Sequence, residues 1–272
     1  MPVRTHPNLP PSVSDVVEEY VTAVDVATDG LVEAVYLVGS VALGDFQPGS
    51  SDIDFVAVTS RPLDSATADA LRGAHAGMSV ARRRPYVDGV YVTWDDLRGD
   101  PAKASPGAAV HEHRWRRGGG TGNPVTWHEL AWHGIAVCGP DRRDIDVWTD
   151  PARLVRWNRD NMAAYWRPWH ARARRPVSKL GIATLGSWAP AWGVLGVARQ
   201  SYTIDTGRIT SKFGAGLYAR EVFPLRWHRI IDECLRIRGG SAGQSAYADP
   251  VRRRRDALDF MDLAMTEILG SA

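Results

Sequence analysis

The segment 35–58, VYLVGSVALGDFQPGSSDIDFVAV, constrains the fold of this chain more than any other. Its two ends are apolar runs rich in β-branched residues, which predict two buried strands. The first run stops at Gly39-Ser40, and the second carries Asp52 and Asp54 on one face because side chains alternate along a strand. The segment therefore predicts two strands that place a pair of carboxylates beside a glycine-serine turn.

Each of these residue types suits the binding of phosphates. Gly39 has no Cβ, so its backbone can approach a phosphate closely. Ser40 opens a helical turn and offers a hydroxyl and backbone N–H groups. Asp52 and Asp54 repel each other unless a hard divalent cation links them to substrate phosphates. An Asp-x-Asp alone is most often a solvated strand edge, but the combination with the turn indicates metal-assisted phosphate chemistry.

A third carboxylate follows on the next predicted strand. Alternation over residues 87–93 puts Asp88, Val90 and Val92 on a common face. Two roles are open for Asp88 on the residues alone: it could complete a two-metal site, or it could act as general base on an acceptor hydroxyl.

The chain divides by pattern into two different halves. Residues 1–150 combine predicted strands with flanking helices, which indicates an α+β domain with a mixed sheet. Residues 151–272 predict an all-α domain, and Pro190 should kink or break its second helix. The helices predicted there span residues 151–174, 177–203, 211–222, 225–238 and 250–269.

The Gly-Ser and Asp-x-Asp pattern resembles the signature of the DNA polymerase β-like nucleotidyltransferases. Within that superfamily, LVGSVALGDFQPGSSDIDFVAVTS is similar to the corresponding stretch of the aminoglycoside 3″-adenylyltransferase family. The resemblance implies that Asp52 and Asp54 bind Mg²⁺, with two ions expected. The stretch DGVYVTWDDL matches the family's base strand and puts Asp88 in the base position, so the family glutamate is shortened by one methylene.

The resemblance continues into the helical half. Arg199, followed by SYTIDTGRITSK, resembles the family segment that contacts ATP phosphates, and Lys212 takes the place of its final lysine. Independently, Lys212 lies where a helix should begin, which favours an anion. We therefore expect Gly39, Ser40, Ser51, Arg199 and Lys212 to bind the nucleotide, with the helical domain also contributing contacts to the acceptor.

The implied function is ATP-dependent adenylyl transfer to a hydroxyl of a small molecule, such as an aminoglycoside or aminocyclitol antibiotic, with release of pyrophosphate. Two alternatives remain at this point. One is a nucleotidyltransferase that modifies protein or tRNA, as in toxin–antitoxin systems. The other is a non-catalytic, nucleotide-binding regulatory module, against which the presence of all three carboxylates argues.

Tryptophans are the candidates for contact with the acceptor. Trp115 matches a family tryptophan that packs against the antibiotic, and Trp188 and Trp192 lie four residues apart on one predicted helix face. Packing in the helical core is the competing explanation for Trp188 and Trp192. Leu185, Ala189 and Trp192 occupy positions where streptomycin-modifying relatives carry polar or acidic ligands, so we expect a less cationic acceptor than streptomycin.

Composition excludes several other classes. A net charge of +2 argues against a nucleic-acid partner. No apolar run is long enough for a membrane span, and Met1 to Pro11 has no signal-peptide h-region. We expect a cytoplasmic monomer. The run His111-Glu112-His113 is a weak metal motif because no third ligand is evident, and the basic run Arg82-Arg83-Arg84 is more typical of a solvated face than of an anion site.

Overall fold

The computed structural model describes residues 9–81, 84–105, 107–118, 122–240 and 243–270. Arg82 and Arg83, and all but the end of the N-terminal stretch that lacks a signal-peptide pattern, fall outside the described residues. The chain forms two compact units, Met1–Thr149 and Asp150–Ala272.

The bounds of the elements follow in chain order. The first unit contains α1 (Pro11–Thr28), β1 (Val32–Val38), α2 (Gly39–Ala42), β2 (Ile53–Thr59), α3 (Ser65–Ala81), β3 (Val87–Thr93), α4 (Trp94–Arg98), β4 (Ala108–His111), β5 (Arg114–Arg117), α5 (Pro124–His133) and β6 (Ile135–Cys138). The second contains α6 (Pro151–Asn161), a π-helical turn (Met162–Trp166), α7 (Arg167–Arg174), α8 (Lys179–Ala183), α9 (Trp188–Thr206), α10 (Lys212–Val222), α11 (His228–Arg238) and α12 (Pro250–Gly270).

The six strands of the described part form one mixed sheet in the order β5-β4-β3-β2-β1-β6. β2 and β3 are parallel, and the other neighbouring pairs are antiparallel. This sheet and the helical second unit confirm the predicted α+β class with an all-α C-terminal part.

The sheet has a separate core on each face. Phe55, Ala57 and Tyr91 pack on one face with residues of α1 and α3. Val56, Val58, Val90 and Val92 pack on the other with residues of α4 and α5. The alternation predicted for β2 and β3 is therefore confirmed, and the face of Val56 and Val90 is also the face of Asp54 and Asp88.

In the second unit α9 is the central helix, since α12, α10, α11 and α6 all pack against it. The prediction of one helix over 177–203 is wrong, because α8 ends at Ala183 and α9 begins only at Trp188. Pro190 lies in the first turn of α9, where a missing N–H costs nothing. The proline therefore sets the start of a helix and does not kink its middle.

No helix in the described part of the chain is both long and apolar enough to cross a membrane. Cys138 and Cys234 are both buried, and neither takes part in a disulfide.

Candidate active site

The turn after β1 brings Asp54 against the backbone. Val38 and Asp54 are register partners in the antiparallel pair of β1 and β2. Gly39 follows with φ +60°, a conformation that side chains disfavour. A Cβ on Gly39 would collide with Oδ2 of Asp54. Glycine at this position therefore allows both the turn and the close approach of the carboxylate.

Asp52 precedes β2 and remains accessible, with 34% of its side chain exposed. Nη1 of Arg84 lies 3.4 Å from its Oδ1, and the guanidinium also lies 4.5 Å from the ring centroid of Tyr86. The positive charge of Arg84 thus offsets the negative charge of the Asp52 carboxylate. Of the basic run predicted as a solvated face, Arg84 is the described member, and it makes a specific contact.

The parallel register of β2 and β3 pairs Asp54 directly with Asp88. Asp88 is almost entirely buried, with 8% of its side chain exposed. Burial raises the pKa of Asp88, and the nearby charge of Asp52 adds to this, while the N–H of Glu112 and the ring of His111 act in the opposite direction. The structure thus groups all three predicted carboxylates at one end of these strands.

Both carboxylate oxygens of Asp88 accept hydrogen bonds. The backbone N–H of Glu112 lies 2.9 Å from Oδ1 and 3.1 Å from Oδ2, and Nδ1 of His111 lies 3.0 Å from Oδ2. Hydrogen bonds thus already occupy both oxygens of this carboxylate. Its two possible roles, as base and as third metal ligand, stay predictions.

Sequence reasoning considered His111 only as a metal ligand and missed its contact with Asp88. β3 and β4 are antiparallel, and Gly89 pairs with Val110. The next pair along these two strands is therefore His111 opposite Asp88. The sequence signal for this contact is the short β4–β5 hairpin. The pairing of β4 with β3, however, cannot be derived from local sequence pattern.

The two serines differ in their surroundings. Oγ of Ser51 accepts a hydrogen bond from the N–H of Gln47 at 2.9 Å, and Ser51 is buried. It stabilises the loop before β2. Oγ of Ser40 lies 3.5 Å from the carbonyl oxygen of Asp52. Contacts of either serine with phosphates stay predictions.

The carboxylate pair fits a magnesium ion that is shared with substrate. In the described residues no three His, Cys, Asp or Glu side chains are grouped as a metal site. Mg²⁺ typically uses one or two carboxylates together with phosphate oxygens and water. Asp52 and Asp54 provide two carboxylates of this kind.

In the second unit, Lys212 is the first residue of α10, and Ser211 caps this helix by accepting from the N–H of Gly214. Nζ of Lys212 lies 4.5 Å from the ring centroid of Trp192. Arg199 is half-buried on α9, and its guanidinium forms no hydrogen bond or ion pair with any residue that the structure describes. A half-buried guanidinium of this kind is suited to an anionic ligand.

Trp188 and Trp192 form a stacked pair on α9, with ring centroids 5.5 Å apart and planes at 18°. Trp188 is 64% exposed, whereas Trp192 packs partly against the helical core. Packing in the helical core, one of the two explanations, therefore applies to Trp192, whereas Trp188 presents an exposed aromatic face. Their contact with an acceptor stays a prediction.

Trp115 lies in a different environment from the carboxylates. Its ring centroid is 5.7 Å from that of Tyr91 and 5.8 Å from that of His75, and the side chain packs, partly buried, against the core beneath α1 and α3. This core covers the opposite face of the sheet from Asp54 and Asp88. The predicted contact of Trp115 with the antibiotic stays a prediction.

Two family models match the chain. Residues 22–88 match the model described as "Nucleotidyltransferase domain", and residues 157–261 match "Aminoglycoside adenylyltransferase, C-terminal domain". The first match ends at Asp88 and includes Gly39, Asp52 and Asp54. Together with the mixed sheet and its carboxylates, it defines the chain as an enzyme of the nucleotidyltransferase class.

The second match is more specific, and with it the chain belongs to the aminoglycoside adenylyltransferase family. A similar solved structure is the crystal structure of the spectinomycin adenyltransferase AAD(9) from Enterococcus faecialis with ATP and spectinomycin. It has a TM-score of 0.64 at 13% identity, and the alignment covers 92% of this chain and 99% of that one. At this identity the likeness concerns the fold. No curated protein sequence matches the chain.

Proposed function

We propose that this enzyme transfers AMP from ATP to a hydroxyl of an aminoglycoside or aminocyclitol antibiotic and releases pyrophosphate. The observation that carries the proposal is the pairing of Asp54 with Asp88 on parallel strands, beside the Gly39 turn. The similar fold of an enzyme solved with ATP and spectinomycin supports it.

The residue roles are part of this proposal. Asp52 and Asp54 would hold Mg²⁺, which would neutralise charge on the triphosphate. Asp88, buried on β3 in register with Asp54, supplies the carboxylate on which transfer of the acceptor proton depends. Ser40, Ser51, Arg199 and Lys212 bind phosphate oxygens. Positioning and charge stabilisation supply most of the acceleration in reactions of this kind.

The acceptor contacts proposed for the second unit are aromatic and not acidic. Trp188 is exposed and stacked on Trp192, while Leu185 and Ala189 replace polar or acidic family ligands. Lys212 beside Trp192 adds a positive charge that disfavours a polycation nearby. We therefore propose a less cationic hydroxylated acceptor than streptomycin, bound by a monomeric, cytoplasmic enzyme without nucleic acid.

The test is a pyrophosphate-release assay on the full chain with Mg²⁺, ATP and a panel of aminoglycosides and aminocyclitols, with the adenylylated product identified by mass. We expect turnover with at least one acceptor, greater with spectinomycin than with streptomycin. Asp54→Asn should reduce kcat by at least 100-fold, on the order found for electrostatic groups in active sites.

Asp95→Asn is the matched control, because Asp95 is a 95% exposed carboxylate of the same unit that pairs only with Arg98 among the described residues. It should retain wild-type activity. Absence of turnover with every acceptor would refute the antibiotic assignment, and adenylylation of a protein or tRNA by the same preparation would support the alternative substrate class.

A further inference from the structure

The buried Asp88 is poorly placed to meet a substrate directly. Only 8% of its side chain is exposed, whereas its partner His111 is 66% exposed. Both Asp88 oxygens already accept hydrogen bonds, from the N–H of Glu112 and from Nδ1 of His111. Because aspartate is shorter than the glutamate of the resembling family, its carboxylate also reaches less far from β3.

The contact of His111 with Asp88 fixes the chemistry of the imidazole. A carboxylate can only accept a hydrogen bond, so Nδ1 of His111 carries the hydrogen, and Nε2 then keeps its lone pair. The second nitrogen belongs to the mostly exposed side chain, so solvent or a ligand can reach it. This is the arrangement in which an aspartate orients a histidine as a base.

The turn that follows β4 is built to maintain this contact. Glu112 and His113 both have positive φ, 49° and 63°, as a two-residue hairpin of the type I′ class requires. Neither residue is the glycine or asparagine that such positions favour, so the turn is strained. The strained turn aims the N–H of Glu112 at Asp88, and the ring of His113 packs edge-on against Tyr86 at 4.7 Å.

We propose that His111 is the catalytic base at the acceptor hydroxyl, and that Asp88 acts through it. This inference rests on the proposed adenylyl transfer and assigns its proton-transfer step. The acceptor O–H proton moves to Nε2 of His111 while the acceptor oxygen forms a bond to the α-phosphorus. The bond from the α-phosphorus to the bridging oxygen breaks, and pyrophosphate leaves. Asp88 stabilises the resulting imidazolium through Nδ1–H.

Both acidic and basic groups surround His111. Asp88 faces it from β3, and Asp52 is close enough to raise the pKa of Asp88. Arg114 is its register partner on β5, and Glu112 and His113 follow it in the turn. Loss of His111 should thus remove the base while leaving the metal-binding pair Asp52 and Asp54 in place.

The test compares four forms of the full chain with Mg²⁺, ATP and an active acceptor. His111→Ala should lower kcat by about 100- to 10,000-fold, the usual range for a general base, with KM for ATP changed less than about 3-fold.

Two further variants separate catalysis from structure. Adding Asp88→Glu to His111→Ala should restore kcat at least 10-fold, because the longer carboxylate reaches the acceptor directly. His113→Asn is the matched control on the same turn, since asparagine tolerates positive φ, and it should keep activity within about 3-fold. A purely structural role for His111 predicts no rescue by the longer carboxylate.

A measurement without substrate tests the proposal independently of turnover. The ¹⁵N shifts of His111 at pH 8 should show hydrogen on Nδ1, and Asp88→Asn should change this tautomer. A Nε2–H tautomer, or a His111→Ala enzyme with unchanged kcat, would overturn the proposal while leaving adenylyl transfer intact. Absence of turnover in the wild type with every acceptor would instead refute the proposed function.

Discussion

At the scale of single residues, Gly39 shows how a missing side chain organises this site. Two independent requirements coincide there: a positive φ and space for the carboxylate of Asp54. Gly44 shares the first requirement, with φ +67°, but a Cβ there would meet nothing within 4 Å. A comparison of substitutions at Gly39 and Gly44 therefore separates the cost of backbone strain from the cost of a steric clash beside a functional carboxylate.

Gly39→Ala should lower kcat by about 100-fold or more, because displacement of Asp54 by about 1 Å is enough for such a loss. Gly44→Ala should cost about 1 kcal/mol of stability from backbone strain alone and leave kcat nearly unchanged. Thermal unfolding and pyrophosphate release of both variants check this. Equal kcat in the two variants would show that the contact of Gly39 with Asp54 is irrelevant to turnover.

The tryptophans show where residue-level reasoning reaches its limit. The sequence and its resemblance to the family offer Trp115, Trp188 and Trp192 as candidates for contact with the acceptor, with core packing as the competing explanation for Trp188 and Trp192. Trp115 packs, partly buried, against the core beneath α1 and α3, Trp192 packs partly against the helical core, and Trp188 is largely exposed. Identical side chains took three environments because long-range packing, and not residue type, sets exposure.

At the scale of elements, β3 and the β4–β5 hairpin matter most. The bounds predicted for β3, 87–93, agree with the structure, since β-branched alternation is a local property. The contact between His111 and Asp88 depends instead on which strand lies beside β3 and in what register. A shift of one residue would turn His111 to the other face of the sheet.

The α11 helix carries a buried carboxylate whose ionisation should make stability depend on pH. Glu233 has no exposed side-chain surface. Burial opposes its ionisation, but hydrogen bonds from Arg236, Ser245 and the N–H of Ala246 outweigh this and lower its pKa to about 2. The stabilisation is therefore complete above the unfolded pKa, about 4.3, and is lost as pH falls from there toward about 2.

Glu233→Gln should destabilise the chain by about 3 kcal/mol at pH 7, since it leaves buried cationic partners uncompensated. The difference from the wild type should shrink as pH falls from about 5 to about 2. Asp232→Asn is the control, because Asp232 forms a surface pair with Arg220, 3.1 Å apart, and such pairs contribute at most about 1 kcal/mol. Denaturant unfolding at several pH values measures both, and a pH-independent difference would contradict the account.

At the scale of the whole molecule, the chain folds as two units that each bury a core of their own. The helical core gathers Trp166, Trp169 and residues of α9 and α12, while the first unit has a core on each sheet face. Within the helical core, Gly196 on α9 lies directly against the ring of Trp166, where a Cβ would collide with the indole.

Gly196→Ala should overpack the helical core and cost about 1–3 kcal/mol. Because each unit has its own core, hydrogen exchange should accelerate in residues 150–270, and the six strands should keep their protection. Gly77→Ala on α3 is the control, since a Cβ there meets nothing within 4 Å and alanine favours a helix by about 1 kcal/mol. Uniform acceleration along the whole chain would mean that the two units unfold together.

The sequence by itself determined the strands of segment 35–58, the glycine turn, the faces of Asp54 and Asp88, and the helical character of the second half. These are local periodicities, which alternation and helix propensity specify within a few residues. Only the tertiary structure decided that His111 and the N–H of Glu112 meet Asp88, that Arg84 meets Asp52, and that Trp115 packs against the core beneath α1 and α3. Those contacts join residues 23 to 32 positions apart or lie across a sheet. Strand order, register and packing bring these residues together, and local sequence pattern does not encode any of the three.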